Sequence, residues 1–208
     1  MSETTEFIIG AEVVCIDGIC GDLRRIVVDP ADRKVTHLVV EPKHGPGMGR
    51  LVPIDFVKSS APQVALRCDI SEFDALEAAD EIQCVPGAGG QWGFGQEFGF
   101  RMGGMGMGIM GPGPQAITSD RVPPGEVEVR RGDHVHASDG TIGRLEGLVI
   151  DGSHHQVTEV LIDAGHLWGE KRITIPISAV TGVDNGIYLN LTKDEVRDLL
   201  PVASDHSA

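Results

Sequence analysis

Four methionines stand in the pattern M-x-x-M-x-M-x-x-M at Met102, Met105, Met107 and Met110. Thioether sulfurs at that spacing are soft donors of the kind that hold Cu(I). His134-x-His136 is a second donor pair, because the two-residue period of a strand sets both imidazoles on one face. No third ligand accompanies that pair, so a solvated strand surface is its plainer reading. Gly106-Met-Gly108-Ile-Met-Gly111 matches G-x-G-x-x-G, but Pro112-Gly113-Pro114 follows and no helix can begin there to hold a pyrophosphate. That excludes a nucleotide loop. No serine or cysteine nucleophile is paired with a histidine in any recognisable spacing, and no catalytic residue is identified. No cofactor is expected.

The methionines belong to an unusual stretch, GAGGQWGFGQEFGFRMGGMGMGIMGPGPQ, from Gly87 to Gln115. Glu97 and Arg101 interrupt its apolar content, and so many glycines make a poor helix, which argues against membrane insertion. Glycine-rich composition implies a flexible tether. Plain tethers, however, carry Ser, Asn or Glu. Trp92, Phe94, Phe98 and Phe100 would be costly to expose unless they dock on the rest of the chain or on a partner. The expectation is a tether that is also a contact segment.

The composition narrows the classes further. In 208 residues there are 17 basic and 31 acidic side chains, a formal charge of −14. A surface that acidic repels phosphate backbones, which disfavours nucleic acid. No window offers eighteen uncharged apolar residues, so no membrane span is expected. The N-terminus lacks the basic and apolar regions of a signal peptide, and a cytoplasmic location is expected. Cys15, Cys20, Cys68 and Cys84 form no CxxC pair and read as reduced, mostly buried thiols.

The elements that must carry these residues come from an internal repeat. Gly10 to Glu41 overlays Gly132 to Asp163 without a gap: Asp17-Gly18 meets Asp139-Gly140, Gly21 meets Gly143, Asp29 meets Asp151, and Val35-Thr36 meets Val157-Thr158. After a one-residue slip, LVPIDFV (51–57) overlays TIPISAV (174–180), and VALRCDISEFDAL (64–76) overlays IYLNLTKDEVRDL (187–199). His134 and His136 align with Glu12 and Val14, so that pair is not part of the repeat.

Each copy reads as short strands. Asp-Gly marks a hairpin, Asp29 and Asp151 sit at polar turns where their side chains cap the backbone two residues on, and His154-His155 lies at a turn tip. Thr36, Leu38 and Val40 are expected on one face of a strand, with Val35 and Val39 on the other. Each copy ends in a short helix, announced by Asp69 to Glu72 and by the capping box Thr192 to Glu195.

This ordered set (DGICG and DGTIG, LRRIVVD and LEGLVID, VTHLVVE and VTEVLID, VPIDFV and IPISAV, then a strand and a capped helix) resembles the PRC-barrel family. That family includes the cytoplasmic domain of the photosynthetic reaction-centre H subunit and the C-terminal domain of the ribosome maturation factor RimM. The resemblance implies a mainly all-β protein with two small antiparallel β-barrels, each closed by a short C-terminal helix. The domains would be 1–85 and 126–208, joined by a Gly/Met/aromatic-rich linker at 86–125.

The family's roles are assembly and docking, so the resemblance implies a non-catalytic scaffold. It would bind a protein partner or self-associate as a homodimer or an intramolecular pseudo-dimer. Contact candidates are the four linker aromatics, with His44, His166 and Trp168 in the loops at 42–50 and 164–172. A Cu(I)-handling protein is the alternative, and photosynthetic or ribosome-assembly roles are weaker analogies.

Overall fold

The structure, a computed structural model, describes residues 4–43, 49–60, 63–85, 115–120, 122–165, 172–184 and 186–199. The chain is mainly β. Its first half contains β1 (Thr4–Ile8), β2 (Glu12–Cys15), β3 (Gly18–Asp29), β4 (Lys34–Pro42), β5 (Arg50–Pro53), β6 (Val57–Ser59), β7 (Val64–Leu66) and helix α1 (Ile70–Asp74). A two-stranded ribbon follows, made of β8 (Asp80–Val85) and β9 (Gln115–Asp120). The second half contains β10 (Val127–Arg130), β11 (His134–Ala137), β12 (Gly140–Asp151), β13 (Val157–Asp163), β14 (Arg172–Pro176), β15 (Val180–Val183), β16 (Ile187–Leu189) and helix α2 (Lys193–Asp198).

Two curled seven-stranded sheets result, in the orders β5-β4-β3-β2-β7-β6 and β14-β13-β12-β11-β16-β15. The seventh strand of each comes from the opposite half. β1 pairs antiparallel with β12, and β10 pairs antiparallel with β3. Phe7 lies opposite Leu148 and Val129 opposite Ile26, so a shift of 122 positions carries one pairing onto the other. The halves therefore exchange their first strands reciprocally. The same symmetry governs the tips of the β3-β4 and β12-β13 hairpins: the Val35 N–H donates to the His155 carbonyl at 2.9 Å, and the Val157 N–H to the Arg33 carbonyl at 2.8 Å. Arg33 and His155 both adopt positive φ, 53° and 56°. That conformation is unfavourable for L-residues with a Cβ and is held here by the cross-bonds.

One continuous apolar core runs through both halves, from Phe7 and Leu23 to Ile142 and Val196. The strand faces differ from simple alternation. Val35 joins Leu38 and Val40 in that core instead of sharing a face with Val39, because the β3-β4 register slips between Val27 (opposite His37) and Val28 (opposite Val35). The extra residue is Thr36, whose hydroxyl donates to the Glu126 carboxylate at 2.7 Å. Thr158 sits at the matching slip and donates to the Val149 carbonyl at 3.1 Å. Such bulges bend a strand and let it curl. On the other face of the first sheet, Val27, Val39 and Leu51 pack with Ala79 and Val122. The segment after α1 reaches Ala79 by bonding along β5: the Leu51 N–H donates to the Glu77 carbonyl and the Ala79 N–H to the Gly49 carbonyl.

Both capping boxes form. Asp69 accepts from the Glu72 N–H and Thr192 from the Glu195 N–H, with each glutamate reaching back. The turn aspartates have a longer reach than a turn requires. Asp17 accepts from the Ile70 N–H and Asp139 from the Lys193 N–H, each at 3.0 Å, so each Asp-Gly turn satisfies an orphan donor at the start of its own half's helix. Asp17→Ala should cost about 1 kcal/mol in denaturant unfolding, the usual value of a lost cap. Asp17→Asn, which keeps the acceptor, should recover most of it.

The ribbon is antiparallel from Asp80 opposite Asp120 to Val85 opposite Gln115. The two ends of the glycine-rich stretch are thereby side by side, and β9 occupies part of the 86–125 segment expected as a linker. Residues 86–114 themselves lie outside the described residues.

Candidate binding surfaces

Of the sequence-derived candidates, His44, Trp92, Phe94, Phe98, Phe100, Met102, Met105, Met107, Met110, His166 and Trp168 lie outside the described residues. His134 and His136 are described, and β11 does place them together, with ring centroids 6.0 Å apart. His136 is already engaged. Its ring stacks on Tyr188 at 5.1 Å with 15° between planes, and its Nδ1 is 3.2 Å from the Thr141 hydroxyl. The stack follows from the parallel pairing of β11 with β16, which sets His136 beside Tyr188. Among the described residues no group of three His, Cys, Asp or Glu side chains is arranged to hold a metal ion.

Tyr188, which sequence reasoning passed over, is 44% exposed and completes a row with the two histidines. Its signal was present: it is the chain's one tyrosine and sits at the outward position of an alternating strand, Ile187-Tyr188-Leu189. The first half has Glu12, Val14 and Ala65 at the matching places. That half instead exposes apolar side chains at its Asp17-Gly18 turn. Ile16 is 74% and Ile19 41% exposed. The second half carries Ser138 and Thr141 there.

Beneath the isoleucine tip lie Cys15, Cys20 and Cys68, all free and buried. The Cys20 thiol donates to the Val13 carbonyl at 3.3 Å. Burial pushes the Cys15 thiol up to about 12 and Cys68 up to about 11, and raises Cys20 as well. Thiols held protonated at neutral pH are weak nucleophiles and weak metal ligands. They fill space as Ala137, Ile142 and Leu191 do in the second half. Cys84 lies in β8, whose side chains are outside the description.

Among the described residues, charged contacts across the halves lie at or beside the exchanged strands. Arg25 on β3 bonds Glu128 on β10 at 3.0 Å, with side chains only 11% and 7% exposed. Arg172 holds Glu146 through two bonds of 2.7 Å and Glu6 on β1 at 3.5 Å. These carboxylates, chiefly Glu146, hold the Arg172 guanidinium above its ordinary range. No helix among the described residues is long and apolar enough to cross a membrane.

Comparison with family models finds no match for this chain, and comparison with curated proteins finds none.

Proposed function

We propose that the chain is a tandem PRC-barrel scaffold, each half closed by its terminal helix, that docks protein partners in the cytoplasm without catalysis. One observation carries the reading: the two halves repeat each other in the core and differ on the surface. The interior repeats strand by strand, at a shift of 122 residues through β4 and β13 and of 123 after them, whereas the Ile16–Ile19 tip and the His134–His136–Tyr188 row each occur in one half only. Fold maintenance explains the shared interior. It does not explain two large exposed isoleucines where the other copy manages with Ser138 and Thr141. Exposed apolar and aromatic groups on a rigid body are the ordinary anchors of protein interfaces. Two unlike anchors on one body suit an adaptor that joins unlike partners.

The test uses the protein's own other half as the source of neutral substitutions. Ile16→Ser with Ile19→Thr copies the second half, and His136→Val with Tyr188→Ala copies the first. Each pair should leave the unfolding temperature within a degree or two, since exposed positions contribute little. Each pair should also lose most of one captured protein, and a different one, in affinity purification at native expression level. Capture unchanged by both pairs, with the protein sedimenting alone as a monomer, would overturn the reading.

A further inference from the structure

A polar cleft of about 580 Å³ opens where β6, the edge strand of the first sheet, faces β1 and the turn after β12. Lys58, Arg67 and His155 line it, with Ser59 and Ser60 beside them and Ile54, Phe7 and Ile150 at its floor. In a chain of net charge −14, half of the described cations have carboxylate partners close by, among them Arg24 with Glu41, Lys43 with Glu12 and Arg172 with Glu146. Lys58 and Arg67 do not. Among the described residues neither has a carboxylate within ion-pair distance, and both converge on one concavity. The carboxylate in the lining, Glu6, has Arg172 for a partner at 3.5 Å.

The repeat gives an internal comparison. At the equivalent place in the second half, Lys58 becomes Thr181, Arg67 becomes Asn190, and Thr4 becomes Glu126. The fold therefore does not require cations there, since its other copy is built without them. Two positive charges left open next to hydroxyl donors, in a cleft whose lining carboxylate already has a partner, form a receptor for an external anion. A guanidinium fork with an ammonium and adjacent hydroxyls matches the several oxygens of a phosphoryl group better than the two of a carboxylate. The cleft also has room for an organic body behind that group.

We propose that this cleft binds a small phosphate-bearing molecule, with Lys58 and Arg67 as its principal contacts. The proposal stands apart from protein docking at the isoleucine tip. It is tested by calorimetric titration of the full chain with pyrophosphate, inorganic phosphate and glycerol phosphate, at one fixed low ionic strength. Saturable binding is expected for pyrophosphate and glycerol phosphate. Lys58→Thr with Arg67→Asn, copied from the second half, should weaken it at least tenfold without changing the unfolding temperature. Arg144→Ala with Lys193→Ala makes the same change in net charge elsewhere and should leave binding intact.

Amide shifts in NMR should move at Ser59, Ser60 and His155. Equal loss in both double variants would mean diffuse attraction only and overturn the site. So would the absence of saturation with every soluble probe, including the case where phosphatidylglycerol vesicles alone bind. The Ile16/Ile19 double variant should bind pyrophosphate like the wild type, so failure here and failure of protein docking are separately visible.

Discussion

Replacing Phe7 with alanine is expected to lower the stability of the protein by about 3–5 kcal/mol, the range for truncating a fully buried phenylalanine, and to loosen the half to which Phe7 does not belong in sequence. Phe7 is 0% exposed and stands on β1, opposite Leu148 of β12. Its loss opens a cavity beneath the second sheet. For a chain of this size the shift in unfolding temperature should be on the order of 10 °C. Hydrogen exchange reads the location. Amides of β12 at Leu148 to Asp151 should lose protection first, while the β2-β3 hairpin, only a few residues from Phe7 in sequence, keeps its own. The opposite order would mean that β1 stabilises its own half.

Gly147→Ala supplies an independent route to the same result. A Cβ at position 147 would stand 2.1 Å from the Phe7 carbonyl oxygen, a backbone atom that cannot move aside cheaply. This variant should loosen β1 while leaving Phe7 itself in place.

Much of this architecture was legible in the residues, and the parts that were not share a physical cause. Local chemistry reads well because its partners are close in sequence. The Asx turns form as expected, with Asp29 accepting from the Ala31 N–H at 2.8 Å and Asp151 from the Ser153 N–H at 2.7 Å. That bond from Ser153 is also the main reason the Asp151 carboxyl lies below its ordinary range. The capping boxes at Asp69 and Thr192 form for the same reason. The strand exchange was not legible. An alternating run such as Glu6-Phe7-Ile8 specifies that one face is buried, not which sheet edge it joins. In a repeated chain the two candidate edges are near copies, so the pattern fits both. The bulges at Thr36 and Thr158 were hidden because periodicity averages over a single extra residue.

The candidate surfaces divide in the same way. His134 and His136 share a face because strand period alone decides it. Tyr188 joins them only through the parallel pairing of β11 with β16, which links residues about fifty positions apart. The convergence of Lys58 and Arg67 with His155 depends on the exchange of β1 and on the contact between hairpin tips. Neither is a local property of the chain. Unpaired cations could have been suspected from their replacement by Thr181 and Asn190 in the repeat, but suspicion would not have placed them in one cleft.

The exchange also decides what should happen when the halves are separated. Residues 1–85 and 122–208, produced as two polypeptides, are each expected to fail as stable monomers. The first lacks β10, and with it buried Val129 and the Glu128 partner of Arg25; the second lacks β1 and buried Phe7. Each loses a sheet strand and part of a single core, and a half of this length has little stability to spare. Mixed in equal amounts, the two should form a 1:1 complex with a cooperative unfolding transition and the near-ultraviolet dichroism of the intact chain. Its stability should rise with concentration, because the ribbon no longer holds the halves at a high effective concentration.

Homodimers of either half are possible in principle, since the repeat offers each first strand a similar edge in a second copy. The native combination should prevail in the mixture because the edge residues differ. β1 passes so close to position 147 that glycine suits it, and the corresponding position in the first half is Arg25. Native mass spectrometry of the mixture distinguishes these outcomes. Predominance of the heterodimer supports strand exchange as the source of pairing. A half that remains monomeric with a cooperative transition of its own would show that its seventh strand is dispensable, and the exchange would then be an accessory of the fold, not its organising contact.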